Sequence, residues 1–234
     1  MKILVIIPAY NESESILEVL AELKKEAPEC DYLVVNDCST DDTAKKLREN
    51  GCSFVNVPVN LGIGGGVQTG YKYAVENEYD VTVQLDGDGQ HRPDYIKAIV
   101  APVADGRLDM CVGSRFIEGS GFRSSFMRRV GINLLCFLLK ITCGVKMTDA
   151  TSGFRACSKE LTAFFASHYA QDYPEPEAIM SAVLSGYKVG EAPVEMRERQ
   201  GGSSSIKPLN SAYYMFKVSL AIILGRLSFS KKRR

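Results

Sequence analysis

Short apolar runs alternate with amphipathic segments along the first half of the chain. Ile3–Ile7 is a continuous apolar run that ends at Pro8, a pattern typical of a central parallel strand covered on both faces. The segment Ser13–Leu23 then places apolar residues at helical spacing behind two serines that are suited to cap a helix. The alternation continues with strands predicted at Tyr32–Asp37, Ser53–Val59, Asp80–Leu85 and Asp109–Gly113, and helices at Thr43–Asn50, Gly66–Val75 and Pro93–Val103. The sequence therefore predicts an α/β fold with a mostly parallel central sheet.

The second half of the chain carries two strongly apolar helical segments. Val130–Cys143 is apolar on nearly all sides and follows several arginines, so it is interpreted either as a buried core helix or as a helix lying on a membrane surface. Tyr213–Phe229 is a second apolar helix, and the basic tail Lys231–Arg234 behind it suits either solubility or an anionic membrane leaflet. Between them the sequence predicts a polar loop at Thr148–Arg155, helices at Lys159–Ser167 and Pro174–Leu184, an extended segment at Lys188–Arg197 and a flexible loop at Gln200–Ser205. We divide the chain into a domain over residues 1–207 and a C-terminal segment over residues 208–234.

Composition limits the classes of protein to consider. The chain has 234 residues, of which 45% are hydrophobic, enough for one large domain with a sizeable core. Its formal net charge is zero, which argues against a general nucleic-acid binder. Seven cysteines without a Cys-x-x-Cys pair suggest reduced thiols rather than a disulfide framework or a zinc site. We expect neither a signal peptide nor a membrane-spanning helix, because no apolar run is long enough.

The strand predicted before residue 86 runs into a sharp turn that carries two carboxylates. Asp86 and Asp88 stand two residues apart, so in an extended segment both project to the same side. Gly87 and Gly89 allow the backbone to approach a ligand closely. Hard oxygen ligands suit Mg²⁺ or Mn²⁺ with positions left open for substrate phosphates. An acidic turn that only ends a strand is the alternative; His91, which follows, is expected to orient the turn rather than bind metal.

In parallel sheets, ligands bind outside the carboxyl ends of the strands. We therefore expect the polar residues at those ends to converge on one site: Tyr10, Glu12, Asp37, Asp86, Asp88 and Arg115.

Four motifs in this order resemble glycosyltransferase family 2, whose members have the GT-A nucleotide-sugar fold. They are Pro8-Ala-Tyr-Asn-Glu12, Asn36-Asp37 followed by Ser39-Thr-Asp41, the glycine-rich stretch Asn60–Gly70, and Asp86-Gly-Asp-Gly-Gln90. Further motifs resemble the polyprenyl-phosphate branch, which is similar to dolichyl-phosphate mannose synthase: Gly113-Ser-Arg115, the loop from Asp149 to Arg155, and Arg199-Gln-Gly-Gly-Ser203. Tyr173–Glu177 and the Met196 segment resemble a bacterial subgroup of small enzymes that often work with a small membrane-embedded partner.

The resemblance implies a nucleotide-sugar site at the metal turn. The implied nucleotide-sugar-binding residues are Pro8, Ala9, Tyr10, Glu12, Asp37, Gly62, Gly64, Asp86, Gly87 and Asp88. Glu12 and Asp37 are suited to accept hydrogen bonds from base and ribose, and Tyr10 offers a ring for stacking. Gln90 is implied as a third metal ligand beside Asp86 and Asp88. The glycines resemble a phosphate cradle or the wall of the nucleotide pocket, and a tight turn is the alternative.

A lipid-phosphate acceptor sets different requirements. It is already anionic, so it can attack the anomeric carbon without a general base, but it needs positive charge to dock beside a diphosphate. The candidate groups for the acceptor phosphate are Arg115, Arg128, Arg129, Arg199 and Lys207. Arg115 joins Asp86 and Asp88 in the predicted catalytic set. Lys207 is included because Ser205 stands where the eukaryotic-like pattern has a lysine.

Acidic residues in the second half leave alternatives open. Asp149 and Glu177 are candidates for sugar recognition. Glu175 and Glu177 are also interpreted as a catalytic base pair, or as carboxylates that the dipole favours at a helix start.

The sequence thus predicts an inverting, Mg²⁺- or Mn²⁺-dependent transferase that moves a hexose or N-acetylhexosamine from a nucleotide sugar, UDP-linked by preference, to undecaprenyl phosphate for envelope polysaccharide. A transferase acting on a sugar or protein hydroxyl and a non-catalytic nucleotide-sugar-binding module are the alternatives. The partners that this interpretation admits are the donor, the lipid acceptor, the cytoplasmic face of a membrane, a small membrane protein and a second copy of the chain, but no nucleic acid.

Overall fold

The computed structural model describes residues 1–117, 126–172, 174–197 and 215–226. Arg199, Lys207 and the basic tail therefore lie outside the described residues, and so does the loop predicted at Gln200–Ser205.

A seven-stranded sheet forms the centre of the molecule, in the order β3-β2-β1-β4-β6-β5-β7. The strands are β1 Ile3–Ala9, β2 Asp31–Asn36, β3 Phe54–Asn56, β4 Val81–Gln84, β5 Met110–Ser114, β6 Arg155–Ser158 and β7 Val189–Pro193. All neighbours pair in parallel except β6, which is antiparallel to both β4 and β5. The predicted α/β fold with a mostly parallel sheet is confirmed.

Helices cover both faces of this sheet. They are α1 Ile16–Glu26, α2 Thr43–Glu49, α3 Gly62–Glu76, α4 Ile96–Ala104, α5 Phe126–Cys143, α6 Lys159–Ser167, α7 Pro174–Leu184 and α8, residues 215–226. One core cluster contains buried residues of α1 and α4, and the other contains buried residues of α3, α5, α6, α7 and α8. Because both faces are covered, central strands such as β1 are buried along their whole length, which explains their unbroken apolar sequence.

The sequence did not predict strand β6. Its four residues, Arg155-Ala-Cys-Ser158, contain neither a continuous apolar run nor a regular alternation. Register with β4 places Arg155 opposite Gln84, so two polar side chains lie side by side in a buried strand pair. This pairing carries the polar loop before β6 to the carboxyl end of β4.

The glycine-rich stretch is helical and not a loop that precedes a helix, because α3 begins at Gly62. A β-carbon on Gly64 would lie 2.2 Å from the carbonyl oxygen of Ala170, and one on Gly70 would lie 2.2 Å from Cγ2 of Ile6. These glycines therefore let α3 pack closely on strand β1 and on the segment before α7.

Helices α5 and α8 are each buried on one side and apolar on the other. Ile132, Leu135 and Leu139 of α5 are buried, as are Val218 and Ile222 of α8. Both helices also expose large apolar side chains at helical spacing: Val130, Leu134, Phe137 and Ile141 on α5, and Phe216, Leu220, Ile223 and Leu224 on α8. The buried-helix interpretation of Val130–Cys143 is confirmed for one face. In the part of the chain that the structure describes, no helix has the length and apolar character needed to span a bilayer.

Candidate active site

The strand order brings the polar strand ends to one edge of the sheet. β1, β2 and β4 run in the same direction, and β5 shares that direction because β4 and β5 are both antiparallel to β6, which lies between them in the sheet. In the sheet, β2 and β3 lie on one side of β1, and β4 lies on its other side. Such a change in strand order opens a crevice at the carboxyl ends. The expected convergence of the strand ends is confirmed.

The acidic turn after β4 is held against the loop after β1. The hydroxyl of Ser15 donates to the carbonyl oxygen of Gly87 at 2.8 Å and lies 3.1 Å from a carboxylate oxygen of Glu12. A β-carbon on Gly87 would lie 3.3 Å from the carbonyl oxygen of Pro8, so the two loops approach closely because residue 87 has no side chain. The turn that carries Asp86 and Asp88 is thus fixed by tertiary contacts.

The carboxylate of Asp86 is one-third exposed, whereas Asp88 is 7% exposed. Oδ1 of Asp86 lies 3.4 Å from the side-chain nitrogen of Gln84, and Oδ1 of Asp88 accepts the backbone N–H of Gln90 at 3.0 Å. A β-carbon on Gly153 would lie 3.2 Å from Oδ1 of Asp86, so the polar loop before β6 forms one wall beside this carboxylate.

The donor set of this turn fits a divalent cation. Asp86 and Asp88 supply carboxylate oxygens and Gln90 supplies an amide oxygen, all of which are hard ligands that suit Mg²⁺ or Mn²⁺. Among the described residues, no three His, Cys, Asp or Glu side chains are grouped as a ready-made metal site. An arrangement of this kind leaves coordination positions for substrate oxygens.

The ends of β1 and β2 form the other side of the crevice. Tyr10 is 48% exposed, and its ring is available to a ligand. Glu12 is buried, and its backbone N–H donates to Oγ1 of Thr43 at 3.0 Å. Asp37 is also buried, and its Oδ1 accepts the backbone N–H of Leu61 at 2.7 Å, directly before α3. Pro8 and Ala9 are the last residues of β1 and lie at the base of this region.

Gly62 and Gly64, the two glycines of α3 predicted to bind the nucleotide sugar, lie in different surroundings. Gly62 has a φ of 72° and open space around its α-carbon, so it remains accessible at the start of α3. Gly64 instead faces the backbone of Ala170 and Gln171, and its role in the fold is to allow this close packing.

Arg115 and Asp149 form a buried bidentate ion pair. Nε and Nη2 of Arg115 donate to the two Asp149 oxygens at 2.6 and 2.8 Å, and Nη2 also donates to Thr151 at 2.9 Å. Burial by itself would raise the pKa of Asp149, but the hydrogen bonds and charge of Arg115 outweigh it and lower that pKa. The structure does not support a direct contact between Asp149 and a sugar, because Asp149 is fully buried and engaged with Arg115.

Two arginines gather around one aromatic ring. The guanidinium carbon of Arg129 lies 3.8 Å from the ring centroid of Phe116, and that of Arg115 lies 5.4 Å from it. Nη1 of Arg129 also donates to the carbonyl oxygen of Thr148 at 3.4 Å. Arg128 is exposed on the first turns of α5. The structure therefore brings Arg115 and Arg129 together, which the sequence spacing alone could not specify.

Helix α7 brings Glu175, and not Glu177, to the edge that carries Asp86. Burial raises the pKa of Glu175, partly offset by the charge of Arg155, and Asp86 and Arg115 also act on this carboxyl electrostatically. Glu177 has a pKa that burial and the charge of Asp172 raise, and its other charged neighbour is Lys217 of α8. The sequence predicts sugar recognition for Glu177, the second of these two residues, whereas the structure places Glu175 at this edge.

Arg155 is a buried residue of this site that the sequence analysis did not select, although it belongs to a motif quoted there. It is fully buried, Nη2 donates to the carbonyl oxygen of Ser152 at 2.5 Å, and Nη1 donates to that of Glu175 at 3.4 Å. Its Nε, Oε1 of Gln84 and the hydroxyls of Ser152 and Tyr169 have no hydrogen-bond partner among the residues that the structure describes. Phe116 was also missed, and its only signal is its position next to Arg115.

Comparisons with known proteins agree with this architecture. The family model described as "Glycosyl transferase family 2" matches residues 4–164. Polyprenol monophosphomannose synthase of Mycolicibacterium smegmatis is 30% identical over 241 residues, covering 96% of this chain and 88% of that protein. The UDP-N-acetylglucosamine–dolichyl-phosphate N-acetylglucosaminyltransferase of Methanococcus voltae is 30% identical over 213 residues, covering 82% of this chain and 84% of that protein.

A solved structure has the same fold. Glucosyl-3-phosphoglycerate synthase from Mycobacterium tuberculosis, in complex with Mn²⁺, UDP-glucose and phosphoglyceric acid, matches with a TM-score of 0.72 and 20% identity. The match covers 96% of this chain and 79% of that one, and at this identity it establishes the GT-A-like fold alone. Taken with the family match, these relatives show that the chain belongs to glycosyltransferase family 2 and is related to polyprenyl-phosphate sugar transferases.

Proposed function

We propose that this protein is an inverting glycosyltransferase that moves a hexose or N-acetylhexosamine from a UDP-sugar to a polyprenyl phosphate at the cytoplasmic face of a membrane. The observation that carries the proposal is one shared edge of the sheet. It has an acidic turn suited to a divalent cation on one side and the two arginines around Phe116 on the other. A diphosphate donor and a phosphate acceptor need these two kinds of group next to each other.

Donor binding is assigned to the crevice between the ends of β1, β2 and β4. Tyr10 stacks on the base, and Glu12 and Asp37 accept hydrogen bonds from the nucleoside. Asp86, Asp88 and Gln90 hold Mg²⁺ or Mn²⁺, which supplies positive charge to the departing diphosphate when bound. The Ser15–Gly87 contact keeps the acidic turn at a fixed distance from the nucleoside pocket.

Acceptor binding is assigned to the arginine side of the edge. Arg129 and Arg128 attract the lipid phosphate, and Arg199 and Lys207 remain candidates on the following segment. Arg115 is 5% exposed and forms an ion pair with Asp149, so it holds the chain next to Phe116 in place while Arg129 supplies the positive charge. An oxygen of the acceptor phosphate attacks the anomeric carbon, the bond to the diphosphate breaks, and the nucleotide leaves. The nucleophile is already ionised, so the step requires no general base.

A hydroxyl acceptor is the second candidate, and Glu175 favours it. A hydroxyl nucleophile loses its proton in the transfer, so it requires a base near the anomeric carbon. Glu175 lies where Asp86 and Arg115 act on it, and its raised pKa brings it closer to the range in which a carboxylate accepts protons well. The two candidates differ in whether the acceptor carries a phosphate.

The apolar faces of α5 and α8 support a location at the membrane surface. α5 exposes Phe137 (57%) and Ile141 (65%), and α8 exposes Phe216 (70%) and Leu224 (53%). The two helices adjoin, because a β-carbon on Gly131 of α5 would lie 3.1 Å from the sulfur of Met215 of α8. Exposed apolar faces of this kind suit the interface of a membrane.

The test of the proposed function is a transfer assay with purified protein, Mg²⁺ or Mn²⁺ and a panel of radiolabelled nucleotide sugars. Undecaprenyl phosphate and undecaprenol serve as matched acceptors that differ only in the phosphate. We expect one labelled product from the phosphate and none from the alcohol. Asp88→Asn should lower transfer by at least about 100-fold, since loss of a metal ligand removes several kcal/mol of charge stabilisation.

Asp105→Asn is the matched control, because Asp105 is paired with Arg107 in the turn between α4 and β5, at the amino end of β5 and not at the carboxyl ends that form the site. Its transfer rate should equal that of the wild type. Labelled product from the alcohol would favour the hydroxyl-acceptor candidate, and full activity of Asp88→Asn would overturn the assigned metal site.

Arg129→Gln is expected to raise KM for the lipid phosphate by about tenfold with little change in nucleotide binding. A lost charge-assisted hydrogen bond to a phosphate costs roughly 1.5 kcal/mol or more. Steady-state kinetics with varied lipid and a UDP binding titration measure the two effects separately. Arg107→Gln is the control, since Arg107 pairs with Asp105 at a distant turn. An unchanged KM in Arg129→Gln would remove this residue from the acceptor site.

Replacing Phe137 and Phe216 together by Ser should reduce co-sedimentation with anionic liposomes by about 100-fold in partition coefficient. Removing each exposed ring from the interface weakens membrane binding by roughly 1.5 kcal/mol. Both side chains are exposed, so the melting temperature should stay close to that of the wild type. Val75→Ser is the control, because Val75 is a 44% exposed apolar residue on α3. Equal sedimentation of the double variant and the wild type would contradict the membrane-surface assignment.

A further inference from the structure

His91 lies directly behind the acidic turn and contacts both ends of Asp86. Its Nδ1 accepts the backbone N–H of Asp86 at 3.0 Å, and its Nε2 lies 3.6 Å from Oδ2 of the same residue. The imidazole is 4% exposed, so water does not compete effectively for these contacts. A single ring therefore constrains the main chain of one proposed metal ligand and lies close to its carboxylate.

The same imidazole is fixed from two further segments. Its ring stacks on Phe154 with a centroid distance of 5.1 Å and an interplanar angle of 18°. Its backbone forms an antiparallel bridge with Met196, and the N–H of Arg197 donates to the carbonyl oxygen of Gln90 at 2.9 Å. His91 thus joins the acidic turn to the loop before β6 and to the chain after β7.

The hydrogen bond from Asp86 fixes the tautomer. Because Nδ1 accepts an N–H, it carries no proton, and the proton of the neutral imidazole is on Nε2. Nε2 lies 3.6 Å from Oδ2 of Asp86, longer than a hydrogen bond, so its contact with the carboxylate is electrostatic. A buried histidine that merely filled space would be replaceable by another ring, whereas Nδ1 of this one accepts a specific hydrogen bond from the main chain of Asp86.

We propose that His91 is a positioning residue that holds Asp86 in the orientation required for the divalent cation, without itself binding the cation. This inference rests on the proposed function only in its assignment of Asp86 as a metal ligand. Its test is direct metal binding, which can be measured whether or not any sugar is transferred.

The first measurement is the affinity of the full-length protein for Mn²⁺, in the absence and presence of UDP, by electron paramagnetic resonance. His91→Phe keeps a ring that can stack on Phe154 but removes both nitrogens. We expect it to weaken Mn²⁺ binding by about 10- to 100-fold, as is typical when a group that orients a metal ligand is lost. His91→Asn retains an acceptor near the position of Nδ1 and should recover most of the affinity.

His168 provides the matched control, since the chain has two histidines and His168 also stacks on a phenylalanine, Phe164, at 5.3 Å and 14°. His168→Phe should bind Mn²⁺ as the wild type does. Wild-type affinity in His91→Phe, or equally weak binding in His91→Phe and His91→Asn at matched thermal stability, would overturn the proposal.

The second measurement distinguishes positioning from direct ligation. With two histidines, long-range ¹H–¹⁵N spectra of the imidazoles are readily assigned by comparison with the His168→Phe spectrum. We expect the His91 pattern of a bare Nδ1 and a protonated Nε2 to persist when Mg²⁺ is added to saturation. Loss of the Nε2 proton on Mg²⁺ binding would mean that His91 is itself a ligand and would contradict the positioning role.

Discussion

Strand direction is the constraint on which this molecule depends. Strands β1, β2, β4 and β5 end at the same edge of the sheet, because β6 lies between β4 and β5 in the sheet and is antiparallel to both. Arg115 directly follows β5 and therefore lies at the edge that carries Asp86. Asp149, in the loop before β6, forms an ion pair with it. The acidic turn after β4 and the arginines near the end of β5 are thereby separated in the sheet by the width of one strand, β6.

Close backbone approach then turns this shared edge into a defined crevice. Gly87 rests on the loop after β1, Gly153 lies beside Asp86, and Gly70 lets α3 lie directly on β1. Polar side chains fasten the same junctions, with Ser15 on one side of the acidic turn and His91 on the other. Because the glycine contacts and the Ser15 contact join segments far apart in the sequence, the orientation of the carboxylates is a property of the whole fold and not of the turn alone.

The sequence predicted most of the fold for identifiable reasons. Central strands buried on both faces leave continuous apolar runs, and amphipathic helices leave apolar residues at helical spacing, as for α1 with Ile16 and Leu23. Strand β6 was not predicted because it is short and begins with a buried arginine, whose environment only the tertiary structure supplies. The start of α3 was predicted too late because glycines normally disfavour helices. Here close packing against Ala170 overrides that preference.

The candidate site was predictable at the strand ends and less so elsewhere. Asp86, Asp88, Asp37 and Arg115 follow strands, and their convergence follows from topology. The pairing of Arg115 with Asp149, and the stacking of Arg129 on Phe116, depend on how the long connection after β5 returns to the sheet. No local pattern encodes that return. Whether Glu175 or Glu177 faces the site depends on the rotation of α7 about its axis, and the sequence does not define that rotation.

The central claim is that a phosphate held on the arginine side attacks the anomeric carbon directly while the nucleotide leaves on the acidic side. The most direct measurement is the anomeric configuration of the lipid-linked sugar formed from a donor of known configuration, determined by NMR of the purified product. A single displacement across this crevice inverts the configuration, so an α-linked donor should give a β-linked product. A product with retained configuration would contradict the account, because it requires either two successive displacements or attack from the face that the diphosphate leaves.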